Sequence, residues 1–131
     1  MRVLIIDDEE DIRKIASLSL SKVGKMTVTV ADSGAAGIVK AVEEKPDVIL
    51  LDMMMPEMDG PATLRALRAQ SDLQEIPVVF LTARDLKAEL GEFRKLGVVG
   101  ALSKPFDLMT LPAQVQTLLH TVSHELTARD R

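Results

Sequence analysis

The chain alternates short, mostly apolar runs with longer segments in which apolar residues recur every three or four positions. Runs of consecutive apolar residues are typical of strands buried on both faces, as in parallel sheets. They predict four strands, Val3–Ile6, Val48–Asp52, Pro77–Leu81 and Val98–Leu102, and Met26–Val30 is expected to form a fifth, short strand. A helix is predicted after each strand, and these long connections favour right-handed crossovers between parallel strands. The pattern therefore predicts a doubly wound α/β fold with a five-stranded parallel sheet and five flanking helices.

Helix ends are marked by capping and breaking residues. The first helix is expected to end at Gly24, the second to run from Asp32 or Ser33 to Pro46, and the third to open at Pro61. Asp85 is a candidate cap for the fourth helix, which would stop near Gly97, and Thr110 for the fifth. The expected inward faces are Ile12, Ile15, Ala16, Ser19 and Val23, then Ala35, Ile38, Val39 and Val42, then Leu64 and Leu67, then Leu86, Leu90 and Phe93, then Leu111, Val115, Leu118 and Val122. Arg65 and Arg68 are expected to face outward.

Polar residues follow four of the strands at the point where each one ends. Asp7 and Asp8 follow the first strand, Asp52 closes the third, Thr82 follows the fourth and Lys104 comes shortly after the fifth. Open α/β sheets place their ligand crevices at the carboxyl ends of the strands, so these side chains are expected to converge. Two carboxylates about 4 Å apart repel by roughly 4 kcal/mol at an effective dielectric constant near 20. Such a cluster favours a hard cation, and oxygen ligands with few protein contacts suit Mg²⁺.

A nucleophilic carboxylate, a divalent cation, an ammonium and a hydroxyl are the groups needed to accept a phosphoryl group. The sequence therefore predicts an acyl phosphate on Asp52, with the cation and Lys104 neutralising charge on the transferred group. The turn that follows, Met53 to Gly60, is expected to hold the carboxylate at the mouth of the crevice.

Residues 2–120 resemble the receiver domain of two-component response regulators. The matching pieces are Asp7-Asp8, Asp52 with Met55-Pro56 and Met58-Asp59-Gly60, Leu81-Thr82-Ala83, and Lys104-Pro105-Phe106. The resemblance implies a flavodoxin-like sheet in the order 2-1-3-4-5. It further implies that Asp52 receives a phosphoryl group from the phosphohistidine of a sensor histidine kinase or from a histidine phosphotransfer protein.

The same resemblance assigns the remaining site residues. Asp8, Asp52 and the carbonyl of Met54 would bind Mg²⁺ directly, with Asp7 acting mainly through water, and Thr82 and Lys104 would contact the phosphoryl oxygens. One position departs from the family: Ala101 stands where Tyr or Phe is common. That departure puts the usual output switch in doubt, although phosphorylation is expected to be intact.

Composition limits the other functions. The 131 residues are 47% hydrophobic, which fits one folded domain, expected over residues 1–122 with a polar C-terminal tail over 123–131. The chain is expected to fray from His120 to Arg131. A net charge of −4 and 2% aromatic residues argue against direct nucleic-acid binding, and the lack of cysteine excludes thiolate metal sites. No run is long enough to predict a membrane span, so a cytoplasmic location is expected.

Several functional interpretations follow from these observations. The leading one is a non-enzymatic, phosphorylation-controlled signalling module that changes its contacts with a downstream protein target. A phosphotransfer intermediate without its own output, or a receiver cut from a longer regulator, would give the same sequence. A Mg²⁺-dependent phosphatase is disfavoured, because Met54 stands where such enzymes usually carry a second carboxylate. A receiver-like structural module that is not phosphorylated is disfavoured because Asp52 and Lys104 are present. His120 and His124 could share a metal on a helix, but no third ligand accompanies them.

Ala101 leads to a prediction about how the domain responds to its ligand. When beryllofluoride stands in for the phosphoryl group, amide resonances of residues 82–90 should shift strongly and those of residues 99–102 and 111–119 only weakly. The reason is that a methyl group cannot fill the space that the Thr82 side chain vacates when it turns. Ala101→Tyr should spread the response to the second region. Equally large shifts in both regions of the wild-type protein would contradict this prediction.

Overall fold

In the computed structural model, which describes residues 1–83 and 90–129, with backbone only for 121–129, all five expected strands are present. Strand β1 covers Arg2–Ile6, β2 Thr27–Ala31, β3 Val48–Asp52, β4 Val78–Thr82 and β5 Val98–Ser103. The predicted bounds of β3 are confirmed, and the other strands differ at their ends by one residue. Met26, which was expected to open β2, lies just before it and is buried.

The strands form one parallel sheet in the order β2-β1-β3-β4-β5, which confirms the predicted fold. The chain starts at an inner strand, adds β2 on one side, then crosses back to add β3, β4 and β5 on the other. The order reverses between β1 and β3, and ligand crevices of open α/β sheets lie at this point. Because all strands run in one direction, their carboxyl ends share a single edge of the sheet.

In the described part of the chain, five helices flank this sheet. They are α1 at Glu10–Leu18, α2 at Gly34–Glu44, α3 at Gly60–Arg68, α4 at Leu90–Arg94 and α5 at Leu111–Arg129. A π-helical turn at Ser19–Val23 extends α1 to Gly24, and a 3-10 turn at Ser71–Leu73 precedes β4. The expected cap Asp85 and the expected core residue Leu86 lie outside the described residues. None of the helices in the described ranges is long and apolar enough to cross a membrane.

Two apolar clusters, one on each face of the sheet, form the core. The first holds Leu4, Ile6, Leu51, Phe80 and their neighbours, packed against side chains of α2, α3 and α4. The second holds Val3, Ile5, Leu50, Leu81 and their neighbours, packed against α1, the π-helical turn and α5. Alternate residues of β1, β3 and β4 thus point to opposite faces, as the uninterrupted apolar runs predict.

The inward face of α2 differs from the prediction. Val39 and Val42 are 56% and 43% exposed, whereas Gly37 and Ala41 are buried. A Cβ at Gly37 would lie 2.4 Å from Cδ1 of Ile6, so the glycine lets the helix lie close to β1. The prediction was wrong here because close approach favours the smallest residues, and hydrophobicity alone selects the larger ones. On α1, similarly, Ile15 is 41% exposed, whereas Ala16 is fully buried.

The C-terminal helix extends beyond the expected end of the domain. Leu111 and Val115 are buried as predicted, and the backbone remains helical to Arg129. The tail expected to fray from His120 is therefore helical over most of its length. The domain boundary at residue 122 stays a prediction.

Arg68 was expected to face solvent, and the structure contradicts this. Its guanidinium lies half-buried at the end of α3, where it donates hydrogen bonds to three carbonyl oxygens: Leu73, Ile76 and Leu96. Burial lowers the pKa of this guanidinium. One side chain thus joins α3 to the 3-10 turn and to the segments leading into β4 and β5.

Arg68→Leu should lower the free energy of unfolding by about 2–4 kcal/mol, because it removes a side-chain donor from three carbonyls. The matched change Arg65→Leu, on the exposed side of the same helix, should alter stability by less than about 0.5 kcal/mol. Urea unfolding of both variants measures the difference. Equal effects at the two positions would show that the Arg68 contacts contribute no stability.

Candidate functional site

The predicted site residues come together at the carboxyl edge of the sheet. Ile6 pairs with Leu51, Asp52 with Leu81, and Thr82 with Ser103, so the ends of β1, β3, β4 and β5 lie side by side. The pairing continues past β5, since the Lys104 N–H donates to the Thr82 carbonyl over 2.8 Å. The parallel register therefore places the side chains that follow these strands around one crevice.

Lys104 lies between two buried carboxylates. Its Nζ is 2.7 Å from Oδ2 of Asp7 and 3.2 Å from Oδ1 of Asp52. Asp7 is fully buried, Asp52 is 3% exposed, and the Lys104 side chain is itself largely buried. Breaking such a buried pair leaves an uncompensated charge, which costs roughly 3–5 kcal/mol. The ammonium therefore compensates most of the repulsion between the two carboxylates.

Burial and charge shift the pKa values of this group of residues. Burial, followed by the charge of Asp7, raises the pKa of Asp52 to about 6, and the nearby Asp8 carboxyl adds to the rise. The Met54 N–H and Lys104 oppose it by stabilising the carboxylate. Burial alone would lower the pKa of Lys104, but contacts with Asp7 and Asp52 outweigh that effect and raise it. Asp52 is thus mostly ionised at neutral pH while Lys104 stays charged.

Four carboxylates could together hold a metal ion. One oxygen each from Asp7, Asp8, Glu9 and Asp52 lie within 4.8 Å of one another. Asp8 and Glu9 are exposed at the mouth of the crevice, and Asp7 and Asp52 lie inside it. Oδ2 of Asp52 is buried and has no hydrogen-bond partner among the residues that the structure describes. A buried carboxylate oxygen without a donor is a suitable ligand for a hard cation.

Glu9 is a member of this cluster that sequence reasoning missed. Glu9 is the N-cap residue of α1, and its place in the sequence by itself indicates only an acidic residue that suits the positive end of a helix. Its Oε1 also lies 3.8 Å from Nζ of Lys104, and its N–H donates to Oδ1 of Asp7 over 2.9 Å. The available signal was its place in an unbroken acidic run directly after Asp8.

The loop after β3 positions Asp52 by close backbone contacts. The Gly60 N–H donates to the Met53 carbonyl over 3.0 Å, and a Cβ at Gly60 would lie 2.7 Å from the Asp52 carbonyl oxygen. Asp59 caps α3 by accepting from the Ala62 N–H over 2.9 Å. Met54 is 69% exposed, and its N–H donates to Oδ1 of Asp52 over 3.2 Å. The glycine is required because any side chain there would clash with the backbone that carries Asp52.

Two further positions complete the site. Thr82 is buried at the end of β4, next in the sheet to the strand that ends in Asp52. Ala101 is half-buried and pairs with Phe80 in the β4–β5 ladder, packed against the core cluster of α2, α3 and α4. Ala101 thus lies on the strand next to β4, the strand that ends in Thr82.

A parallel α/β sheet with acidic residues and a lysine at its switch point defines a class of phosphoacceptor signalling domains. The model of the response regulator receiver domain matches residues 3–116. The chain therefore belongs to the receiver domain family of response regulators, whose members serve phosphorylation-dependent signalling in two-component systems.

Curated relatives and solved structures agree with this assignment. The chain is 35% identical over 125 residues to the response regulator MprA of Mycobacterium avium, which covers 95% of the chain and 54% of MprA. It is 34% identical over 118 residues to the alkaline phosphatase synthesis transcriptional regulatory protein PhoP of Bacillus subtilis, covering 90% and 48%. The chain thus spans about half the length of these relatives.

Solved structures of response regulators superpose on most of this chain and nearly all of their own length. The chemotaxis protein CheY4 of Vibrio cholerae superposes with a TM-score of 0.82 at 32% identity, covering 89% of this chain and 97% of that one. A putative response regulator from Chloroflexus aurantiacus superposes with a TM-score of 0.79 at 27% identity, covering 91% and 97%. The predicted family and fold are confirmed.

The raised pKa of Asp52 predicts how stability depends on pH in metal-free protein. Between pH 3.8, the ordinary pKa of this carboxyl, and about pH 6, the folded state binds more protons than the unfolded state. Stability should therefore fall as pH rises through this window, by on the order of 2–3 kcal/mol from this group.

Urea unfolding between pH 4.5 and 7.5, in the presence of a chelator, measures this effect. Asp52→Asn should remove the part of the pH dependence that this carboxyl contributes, and should be the more stable form near neutral pH. Parallel stability curves for wild type and variant would show that the Asp52 pKa is not raised by folding.

Proposed function

We propose that this domain accepts a phosphoryl group on Asp52 and changes its protein contacts in response. The observation that carries the proposal is the position of Asp52: it is buried at the sheet's switch point, 3.2 Å from the ammonium of Lys104. A carboxylate is a strong enough nucleophile to attack phosphorus once it is ionised, and Asp52 is mostly ionised at neutral pH.

The donor set fits Mg²⁺. The carboxylates of Asp8 and Asp52 would bind the ion, with the Met54 carbonyl as a third protein ligand and Asp7 acting mainly through water. Oxygen ligands, the 4.8 Å spread of the acidic oxygens and the buried Oδ2 of Asp52 all support this assignment. When bound, the ion would neutralise negative charge on the transferred group. Glu9 lies near enough to assist at the exposed side.

The transfer itself needs only groups that the chain places in the crevice. An oxygen of Asp52 attacks the phosphorus of a phosphohistidine, the new P–O bond forms as the P–N bond breaks, and the histidine leaves with the electron pair. Lys104 would turn from Asp52 towards a phosphoryl oxygen while its contact with Asp7 keeps it in place. The Thr82 hydroxyl would donate to another phosphoryl oxygen. Hydrolysis of the acyl phosphate by water returns the carboxylate.

The phosphoryl donor would be a sensor histidine kinase or a histidine phosphotransfer protein. The output would pass through contact with a downstream protein, without direct binding of nucleic acid. MprA and PhoP are named as regulators, and this chain matches about half of each, so a receiver from a longer regulator remains the alternative. A phosphotransfer intermediate without its own output is the other. We place the domain in the cytoplasm, where kinases of this class donate phosphate.

Asp52→Asn should abolish phosphorylation by acetyl phosphate in the presence of Mg²⁺, because an amide cannot attack phosphorus. Intact-mass spectrometry detects the added phosphoryl group in wild type. Asp59→Asn is the matched control, since it removes a carboxylate from the same loop and keeps the helix cap. The proposal is wrong if Asp52→Asn is phosphorylated to the same extent as wild type.

The same experiment separates the metal from the nucleophile. Asp8→Ala should keep Asp52 and lose a direct Mg²⁺ ligand, so phosphorylation should fall and extra Mg²⁺ should restore little of it. Titration of Mg²⁺ measured by amide shifts should show weaker binding in this variant. Unchanged Mg²⁺ affinity would contradict the role of Asp8 and leave that of Asp52 intact.

A further inference from the structure

A second cavity opens at the edge of the sheet, beside β2 and between α1 and α2. Its volume is about 360 Å³, which falls in the range of small-molecule sites. Val30, Ala31 and Ala36 form an apolar floor, and Arg13, Asp32 and Lys40 add three charged side chains to the lining. Asp7 links these residues to the acidic cluster described above, because its backbone carbonyl accepts from Arg13 and its N–H donates to the Ala31 carbonyl.

The two cations of the cavity lack acidic partners. Among the described residues, no carboxylate oxygen lies within 4.0 Å of the Arg13 guanidinium or of Nζ of Lys40. Both side chains are only half-exposed. The other lysines of the described ranges either form ion pairs, as Lys14 does with Glu10 and Lys45 with Asp72, or are exposed, as Lys22 is. Two half-buried, unpaired cations over an apolar floor are suited to an anion that carries a hydrocarbon group.

Arg13 connects this cavity to the acidic cluster. Its NH1 group donates to the backbone carbonyl of Asp7 over 2.9 Å, and the carboxylate of Asp7 contacts Lys104. The other N–H groups of the guanidinium stay available to an anion, because arginine carries several donors in a fixed plane. A charge bound in the cavity would therefore act on the acidic cluster through the Arg13 side chain.

We propose that this cavity binds a small monocarboxylate with an apolar group, and that binding is coupled to cation binding at the acidic cluster. The carboxylate lies between Arg13 and Lys40, and the hydrocarbon packs on Val30, Ala31 and Ala36. The negative charge of Asp32 at the rim disfavours anions of higher charge, such as phosphate esters. Binding at the cavity stands independently of the proposed function, and only the coupling rests on it.

The sign of the coupling follows from charge. The guanidinium of Arg13 repels a cation at the acidic cluster, and a bound carboxylate offsets that charge. The ligand should therefore raise Mg²⁺ affinity by about two- to threefold, and Mg²⁺ should raise ligand affinity by the same factor. Phosphorylation of Asp52 need not change for binding at the cavity to be observed.

The test uses isovalerate as the probe and isovaleramide as its neutral isostere, at constant ionic strength. Isovalerate should produce saturable amide shifts in residues 30–36, and isovaleramide should not. Lys40→Gln should weaken isovalerate binding about tenfold, because it removes one of two cations. Lys22→Gln, which removes an exposed lysine outside the cavity, should leave the affinity unchanged, and Asp32→Asn should increase it.

The outcomes separate the parts of the proposal. Equal shifts with both probes, or equal affinity in Lys40→Gln and wild type, overturn the carboxylate site. Saturable, Lys40-dependent binding that leaves Mg²⁺ affinity unchanged supports the site and overturns the coupling. The unchanged remainder of the amide spectrum in each variant shows that the fold is kept. Failure of Asp52 phosphorylation would overturn the proposed function alone.

Discussion

The site depends on two ion contacts, which Lys104 makes with the carboxylates of Asp7 and Asp52. Two carboxylates buried side by side at the switch point of a sheet are unfavourable unless a positive charge compensates them. Lys104 supplies that charge from the end of β5, at 2.7 Å from Asp7 and 3.2 Å from Asp52. Burial, followed by the charge of Asp7, still raises the pKa of Asp52 to about 6. The buried negative charge of the two carboxylates therefore favours any ligand that brings further positive charge.

The rest of the fold keeps these three side chains in place. β1, β3 and β4 are buried on both faces, so the ends that carry Asp7, Asp52 and Thr82 are held by a well-packed core. The Thr82 carbonyl accepts from the Lys104 N–H, which extends the sheet as far as the lysine. At the opposite end, Arg68 joins α3 to the segments that begin β4 and β5. A site built on rigid strands can hold charges in an arrangement that loops alone would relax.

Ala101 and the cavity beside β2 bear on how a signal could leave the acidic cluster. An alanine next to Phe80 offers no ring that could follow Thr82, so a signal through that route would be weak. The Arg13 contact with the Asp7 carbonyl offers a separate connection from the acidic cluster to the opposite edge of the sheet. The acidic cluster would then respond to a ligand in the cavity beside β2 as well as to phosphorylation of Asp52.

The sequence by itself determined the five strands, the fold class and the polar residues at the strand ends. Uninterrupted apolar runs allow only strands buried on both faces, and a charge at the end of such a run must lie at the sheet edge. Helix faces were less certain: Gly37 and Ala41, not Val39 and Val42, pack against the sheet, because the space above Ile6 admits only a small residue. Likewise, only the packed structure shows that Arg68 turns inward, that Glu9 joins the acidic cluster, and that Arg13 and Lys40 share a cavity. These features depend on distances between segments far apart in the chain, which local patterns do not encode.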